Sequence, residues 1–518
     1  MAVINYSIQI KETNFSLLST DQSSTIIVDN NNEVAPSNPA IAYCHNVMPT
    51  RQGLNSTELV FTVPAVQSLL DSQNEVIYTN KIVYSTDKNK VTIAFTNINE
   101  AFVLDTDTSE WYRLPVLLPE PTGPDDPILI ERTYEVTTGT VNGVTYVYLS
   151  NIGCYTYSED NVALEPVTLT GLDAGEVLGV VASGGYLVAY TEDSVAWSST
   201  IDPTDFTPSD VTGAGAGKIQ EIQGNILFAV PNSTGFLVYT EGNIVSATLT
   251  SSVSYPFKFS SVVGSKGGSK LITTSYESSA RVQFTYGDAG LQSVTNTEAS
   301  NILPDITDFI SGKMYEDFDD ETMTFNYVDL VASTDIIVKA VSFISNRYLV
   351  ISYGIGIANS DLPTFTYALI YDVELSRLGK VKCTHVDVLE LHNKQEAPAK
   401  TSIGFLSADG KVEYLDWSPT ADSNGVVILG KLQYSRERLI TLQGLTVSNI
   451  FPVAELDVYD RYVLPNFYEA MVKAYDAASV GNKRIFNILT QAQYHNIIMK
   501  GKFNLVDVIC KYTIAGRR

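Results

Sequence analysis

Histidine, cysteine and methionine are scarce in this 518-residue sequence, which holds four His, four Cys and six Met. Cys44, Cys154, Cys383 and Cys510 lie far apart and form no Cys-x-x-Cys pair. A disulfide framework needs more and closer cysteines, so free thiols and folding in a reducing compartment are expected. The tripeptide Cys383-Thr384-His385, with His392 seven residues on, is the one local cluster of soft ligands. Zinc sites draw on a second close pair, which is missing here, so these residues are expected to be ordinary strand positions, with no metal and no cofactor.

Basic residues are also short: 33 Lys and Arg against 58 Asp and Glu, a formal net charge of −25. A general nucleic-acid binder needs a basic surface to displace counterions from phosphate, and an anionic membrane repels an acidic one. No run of about 18 apolar residues is present, so no segment is expected to span a membrane. Met1 to Ser7 shows no basic stretch leading into an apolar one, so no secretory signal is expected.

Catalytic signatures are equally thin. There is no Gly-x-Ser-x-Gly elbow and no Walker-type phosphate loop. The run 264–270, Gly-Ser-Lys-Gly-Gly-Ser-Lys, lacks the Walker spacing and reads as a turn. Gly213 to Gly217 leads into Ile219-Gln220-Glu221-Ile222-Gln223, which alternates like a strand, whereas a dinucleotide fingerprint must open a helix. The acidic run Glu316-Asp317-Phe318-Asp319-Asp320-Glu321 contains enough carboxylates for a glycosidase pair or a calcium site, but reads as a solvated loop. No catalytic, cofactor-binding or metal-binding residue is nominated.

What is abundant is β-forming sequence. Thirty Tyr and many Val, Ile and Thr favour pleated, half-buried surfaces. Short alternating runs such as Lys90 to Phe95, Val144 to Leu149 and Asn225 to Val230 are separated by Gly, Asn, Asp and Ser clusters, the pattern of antiparallel hairpins. One kind of run recurs at Ala101, Gly153, Ser194, Gly235, Arg281, Ala368 and Lys411, with Thr324 to Val328 near the middle of the widest gap. A period of about 40–50 residues fits four-stranded blades packed radially. The expectation is an all-β chain with a β-propeller of six to eight blades over 61–420. A pair of large β-sandwiches is the alternative. Residues 1–60, with Asp29 to Glu33, Pro36 and Pro39, read as an extended arm that orders against a neighbouring subunit. Residues 421–518 read as a smaller β-rich domain with a short helix over 466–478, capped by Asn466 and presenting Phe467, Met471, Val472 and Tyr475 on one face.

One stretch carries a family resemblance. A strand ends at Trp197-Ser198, the turn Asp202-Pro203-Thr204-Asp205-Phe206 follows, and a glycine-rich link leads to Ile219 and on to Leu227. This order resembles a blade pair in the tail-nozzle and packaged-DNA stabilisation (head-completion) proteins of short-tailed bacteriophages. Asn46 to Leu54 resembles the segment that precedes the propeller in such proteins, and Tyr512 to Arg518 their last strand. The resemblance implies a structural, non-enzymatic component of the virion tail, assembled in host cytoplasm as a hexameric ring. Such a ring extends the DNA conduit from the portal, retains the packaged genome and passes it out at infection. The partners implied are other copies of itself, the portal, adaptor or other tail proteins, tail fibres, and double-stranded DNA in transit without specific binding; no membrane is implied. Six copies would carry about 6 × −25 = −150, a charge that repels phosphate from the wall. A head-completion plug beneath the portal fits the same pattern. A different class, a carbohydrate-binding or hydrolysing receptor-binding propeller with Tyr platforms, is the competing reading.

Overall fold

The turn Asn142-Gly143 shows how the blades are made. Both residues hold positive φ, 54° and 83°, the requirement of a type I′ hairpin turn. It folds Val144–Leu149 back on Val136–Val141, and the sheet continues through Gly153–Ser158 to Ala163–Val167. The computed structural model describes residues 41–63, 136–267, 365–393, 411–433 and 483–517 almost continuously, and elsewhere chiefly the strands named below.

Among the described residues, seven such sheets follow one another. Blade one runs from Ile77–Tyr84 to Glu110–Leu114. Blade two is the sheet just described. Blade three runs from Gly179–Ser183 to Gly215–Lys218, and blade four from Ile226–Asn232 to Phe257–Ser261. Blade five shows three described strands, from Gln283–Gly287 to Ala299–Asn301. Blade six runs from Ile336–Ile344 to Arg377–His385. Blade seven takes Asp387–Asn393, Lys400–Leu406 and Val412–Asp416, and its outermost strand is Glu58–Val63, from much earlier in the chain.

The first strand of each blade lies innermost. These strands pack side by side from blade one to blade four and from blade five to blade seven, and that of blade seven returns to that of blade one. Gln283 links blades four and five, donating to Pro231 O at 2.8 Å and accepting from the Tyr239 hydroxyl at 3.1 Å. Apolar side chains fill each gap between blades. The closing gap holds Phe102, Leu104 and Trp111 of blade one against Leu406 and Val412 of blade seven, each large side chain contributing roughly 1.5–3 kcal/mol on burial. The arrangement is a closed β-propeller. Each recurrent run in the sequence falls in a different blade, whereas Thr324–Val328 belongs to none; it forms a separate hairpin with Tyr315–Asp319.

Apart from that hairpin, the other described strands form two further sheets. One grows from the outer edge of blade six, through Val47–Thr50 and Gly53–Ser56 to Asn504–Arg517, Arg438–Asn449, Lys483–Ala492 and Ala477–Val480, with Ile4–Gln9 also on Asn504–Arg517. The other contains Thr25–Val28, Lys431–Gln433, His495–Gly501, Gly425–Leu429 and Ile41–His45, with Leu456–Tyr462 and Met471–Tyr475 beside them. Val427, Val458 and Met499 of one sheet share a core with Leu442, Val447 and Val508 of the other, making a β-sandwich.

Two expectations are corrected here. The described parts of residues 1–60 are not an arm: they are strands of this sandwich and, from Glu58, of blade seven, paired within their own chain. Ile41–His45 is buried at every position, so it carries no alternation to betray it. The expected helix over 466–478 is also absent from the described part, since Met471–Tyr475 and Ala477–Val480 are strands. Pairing of Met471 to Tyr475 against Tyr462 to Val458 overrides the helical spacing of the apolar residues.

Candidate interaction surface

The residues with most chemical promise in the sequence lie in the interior. His385 sits between the rings of Phe365 and Phe405 and is fully buried. Its Nε2 is 2.7 Å from Ser352 Oγ, and its Nδ1 is 3.1 Å from Cys383 O and 3.3 Å from Cys383 Sγ. The Ser–His pair has hydrogen-bond geometry, yet both residues are inaccessible, so it ties two strands of blade six together while the ring packs on Phe405 of blade seven, and it meets no substrate. Burial lowers the His385 pKa to about 4. Among the described residues no three His, Cys, Asp or Glu side chains are grouped to hold a metal; the His392 side chain lies outside them. The four cysteines are buried and unpaired. Desolvation pushes Cys44, Cys154 and Cys510 up to about 12 and Cys383 well above its ordinary value, so none is an activated thiol.

Three further readings change on the structure. The acidic run is not simply a loop, because Tyr315–Asp319 is a strand and Phe318 is buried against Tyr43. Asp319 Oδ1 accepts from Thr322 N at 3.0 Å in the turn that follows; Asp320 and Glu321 lie outside the described residues. The glycine run 213–217 supplies the outer strand of blade three, while 219–223, expected as a strand, is irregular. Trp197 accounts for the glycine at 215: its indole covers that position, where a Cβ would sit 3.0 Å from the ring. Of the run 264–270, the described residues 264–267 lie outside any strand, and 268–270 are outside the description.

The stretch from Trp197 to Phe206 is a device for locking two blades. Trp197 Nε1 donates to Gly213 O at 2.8 Å. Asp202 Oδ1 accepts from the Thr204 amide at 2.9 Å and its hydroxyl at 2.7 Å, closing the turn. Asp205 Oδ1 accepts from the Thr207 amide at 2.9 Å, which with the Thr207 hydroxyl holds this carboxyl below its ordinary pKa. Phe206 then enters the gap to blade two beside Tyr148 and Val177, and its amide donates to Thr170 O at 2.8 Å.

The locked loop leaves an unusual surface above it. Ile201 and Val211 are 78% and 88% exposed, and Val253 and Tyr255 on the adjoining loop of blade four are 54% and 74% exposed. The positions are held together. Thr200 N donates to Thr212 O at 3.3 Å, Ser254 Oγ reaches Asp210 Oδ1 at 3.4 Å, and Val253 packs beside Gly213. Asp202, Asp205 and Asp210 are the charged residues of the two loops over 198–214 and 250–257, with no Lys or Arg among them. Four large apolar side chains thus stand in water, rimmed by carboxylates, the kind of surface that proteins use for contacts.

A second feature escaped the sequence. His495 and Asp460 are both fully buried in the sandwich, His495 Nδ1 being 2.8 Å from Asp460 Oδ2. His495 Nε2 lies 3.2 Å from Ile440 O on the opposite sheet. Both ring nitrogens face acceptors, so the ring bridges the two sheets. With no accessible face, the pair is structural.

No family model matches the chain, and no curated protein matches it. Among solved structures, it is similar to YCF48 from Cyanidioschyzon merolae at 12% identity, covering 70% of this chain and 99% of that one, with a TM-score of 0.41. The WD40 β-propeller domain of Doa1 is similar at 9% identity, covering 70% and 98%, with a TM-score of 0.36. The extracellular domain of hybrid two-component system BT3049 from B. thetaiotaomicron is similar at 12% identity and a TM-score of 0.38; the match covers 67% of this chain and spans 40% of that domain. Likeness this distant carries no function, and the propeller is defined by the strand pairing itself.

Proposed function

We propose that this chain is a non-enzymatic structural subunit of a short-tailed phage tail, assembling as a ring of six that prolongs the DNA conduit from the portal. In this reading the ring retains the packaged genome and releases it at infection, and its neighbours are the portal, adaptor and other tail proteins. The observation that carries the reading is the exposed apolar rim of blades three and four, located on the same loops that resemble the nozzle family. A subunit designed for assembly needs such a surface, whereas a solitary acidic protein has no use for one. The charge of −25 suits a wall past which phosphates must slide without sticking. Electron microscopy and native mass measurement of the purified chain test it. A ring with an axial opening wider than the roughly 20 Å of duplex DNA is the expected result. A chain that stays monomeric at every concentration, or that projects singly from the particle surface, would overturn the reading.

A further inference from the structure

We propose that copies of this chain join head to tail, the apolar rim of blades three and four on one copy seating on an exposed edge of the sandwich of the next. The proposal rests on the building-block reading above and identifies the two halves of the contact. The second half is the strand Met471–Tyr475 with the bulge at Leu489. Met471 is 45% and Val472 39% exposed, and Leu489 is 76% exposed. Leu489 also holds φ at 55°, a conformation that L side chains adopt at a cost. Tyr475 Oη lies 2.7 Å from Thr490 Oγ1, which ties this strand to the residue after the bulge. Met471–Tyr475 pairs with Leu456–Tyr462 on one side, and no described strand lies on its other side.

Charge supports the match. Residues 421–518 contain twelve Lys and Arg against eight Asp and Glu, a net +4, in a chain whose total is −25. Lys473 is exposed on this edge, and Asp476 is exposed at its end. Blades two to four, over 136–267, contain three Lys and Arg against twelve Asp and Glu, a net −9. The acidic rim and the net basic region that carries the edge are therefore complementary in charge, and each offers large apolar side chains to the other.

Their placement separates them within one chain. The sandwich grows from the outer edge of blade six, and blade three lies three steps away around a ring of seven, the largest separation the ring allows. Two different patches in contact between copies make a heterologous interface, which closes into a ring when the rotation permits.

The test uses two variants of the full chain. Ile201→Asp with Val211→Asp spoils the rim, and Lys473→Glu with Leu489→Asp spoils the edge; all four side chains are exposed, and unchanged melting curves confirm the fold. Milder replacements, Tyr255→Ser and Val472→Thr, serve if either double variant fails to fold. Sedimentation should show wild-type assemblies, and self-association weakened by about tenfold or more in each variant alone. An equal mixture of the two variants should give one-to-one dimers, because one good rim and one good edge remain between them. If wild type assembles and both variants assemble equally well, or if the mixture gives no dimer, this contact is wrong and the building-block reading stands. If the wild type itself never assembles, both fall.

Discussion

The propeller and the sandwich are both all-β, yet they are assembled on opposite plans. Six blades of the propeller draw their described strands from consecutive chain, so each sheet closes on local hairpins. The sandwich has no such local unit. Its sheets interleave strands from residues 4–56 with strands from 425–517, and the two halves meet at sites such as Ser56, whose amide donates to Phe503 O at 2.9 Å. The two plans join at blade seven, which takes Glu58–Val63, and at blade six, where Arg377 donates to Thr50 O at 2.9 Å and Gly53 O at 3.1 Å. A repeat can be local, but the parts that fasten it shut are not.

Removing residues 1–63 is the most severe way to test that division. It deletes the closing strand of blade seven and the early strands of both sandwich sheets, so cooperative folding should be abolished. Circular dichroism on heating would show it, and a truncated chain melting like the full one would mean that the regions are independent. Next in size is His495→Ala, which leaves the buried Asp460 side chain without its hydrogen-bond partner at a cost of about 2–3 kcal/mol by urea denaturation. The sandwich should loosen first, read as faster amide exchange there than in blades two to four.

Acid should weaken the propeller through His385. Its folded pKa of about 4 lies below the ordinary 6.5, so the unfolded chain binds the proton first as pH falls. The stability is complete above 6.5 and lost on the way down to 4, amounting to about 2 kcal/mol between pH 7 and pH 5. The His385→Gln chain should lack that part of the slope, and an unchanged slope would remove His385 from the account. The smallest effect is expected for Trp197→Phe, which keeps most of the packing and loses the bond to Gly213 O. About 1 kcal/mol is expected, read from the shift in urea midpoint.

The same contrast explains what the sequence discloses. One recurrent run per blade was visible because a blade strand alternates at period two and turns back within a few residues, as Val144–Leu149 does after Asn142-Gly143. Glu58–Val63 has the texture of a strand, but its partner Val412–Asp416 lies some 350 residues away, and no local pattern points there. Met471–Tyr475 is largely exposed, so it shows no alternation, and its apolar spacing imitates a helix. The rim was half legible. The turn Asp202-Pro203-Thr204-Asp205-Phe206 stands out in the sequence, but Phe206 is buried while Ile201 is exposed, and only the packing of the blades decides which.

The distance between partners also sets a timetable for synthesis. Ser56 waits for Phe503, 447 residues later, and at about 5–20 residues per second that is roughly 20–90 s of translation. The blades can form in order as they leave the ribosome, while the first strands, among them the fully buried Ile41–His45, remain without their partners throughout. A nascent chain of this design exposes its earliest apolar segments longest, and its yield in a cell should depend on holdase chaperones and on the speed of elongation more than on the stability of the finished fold.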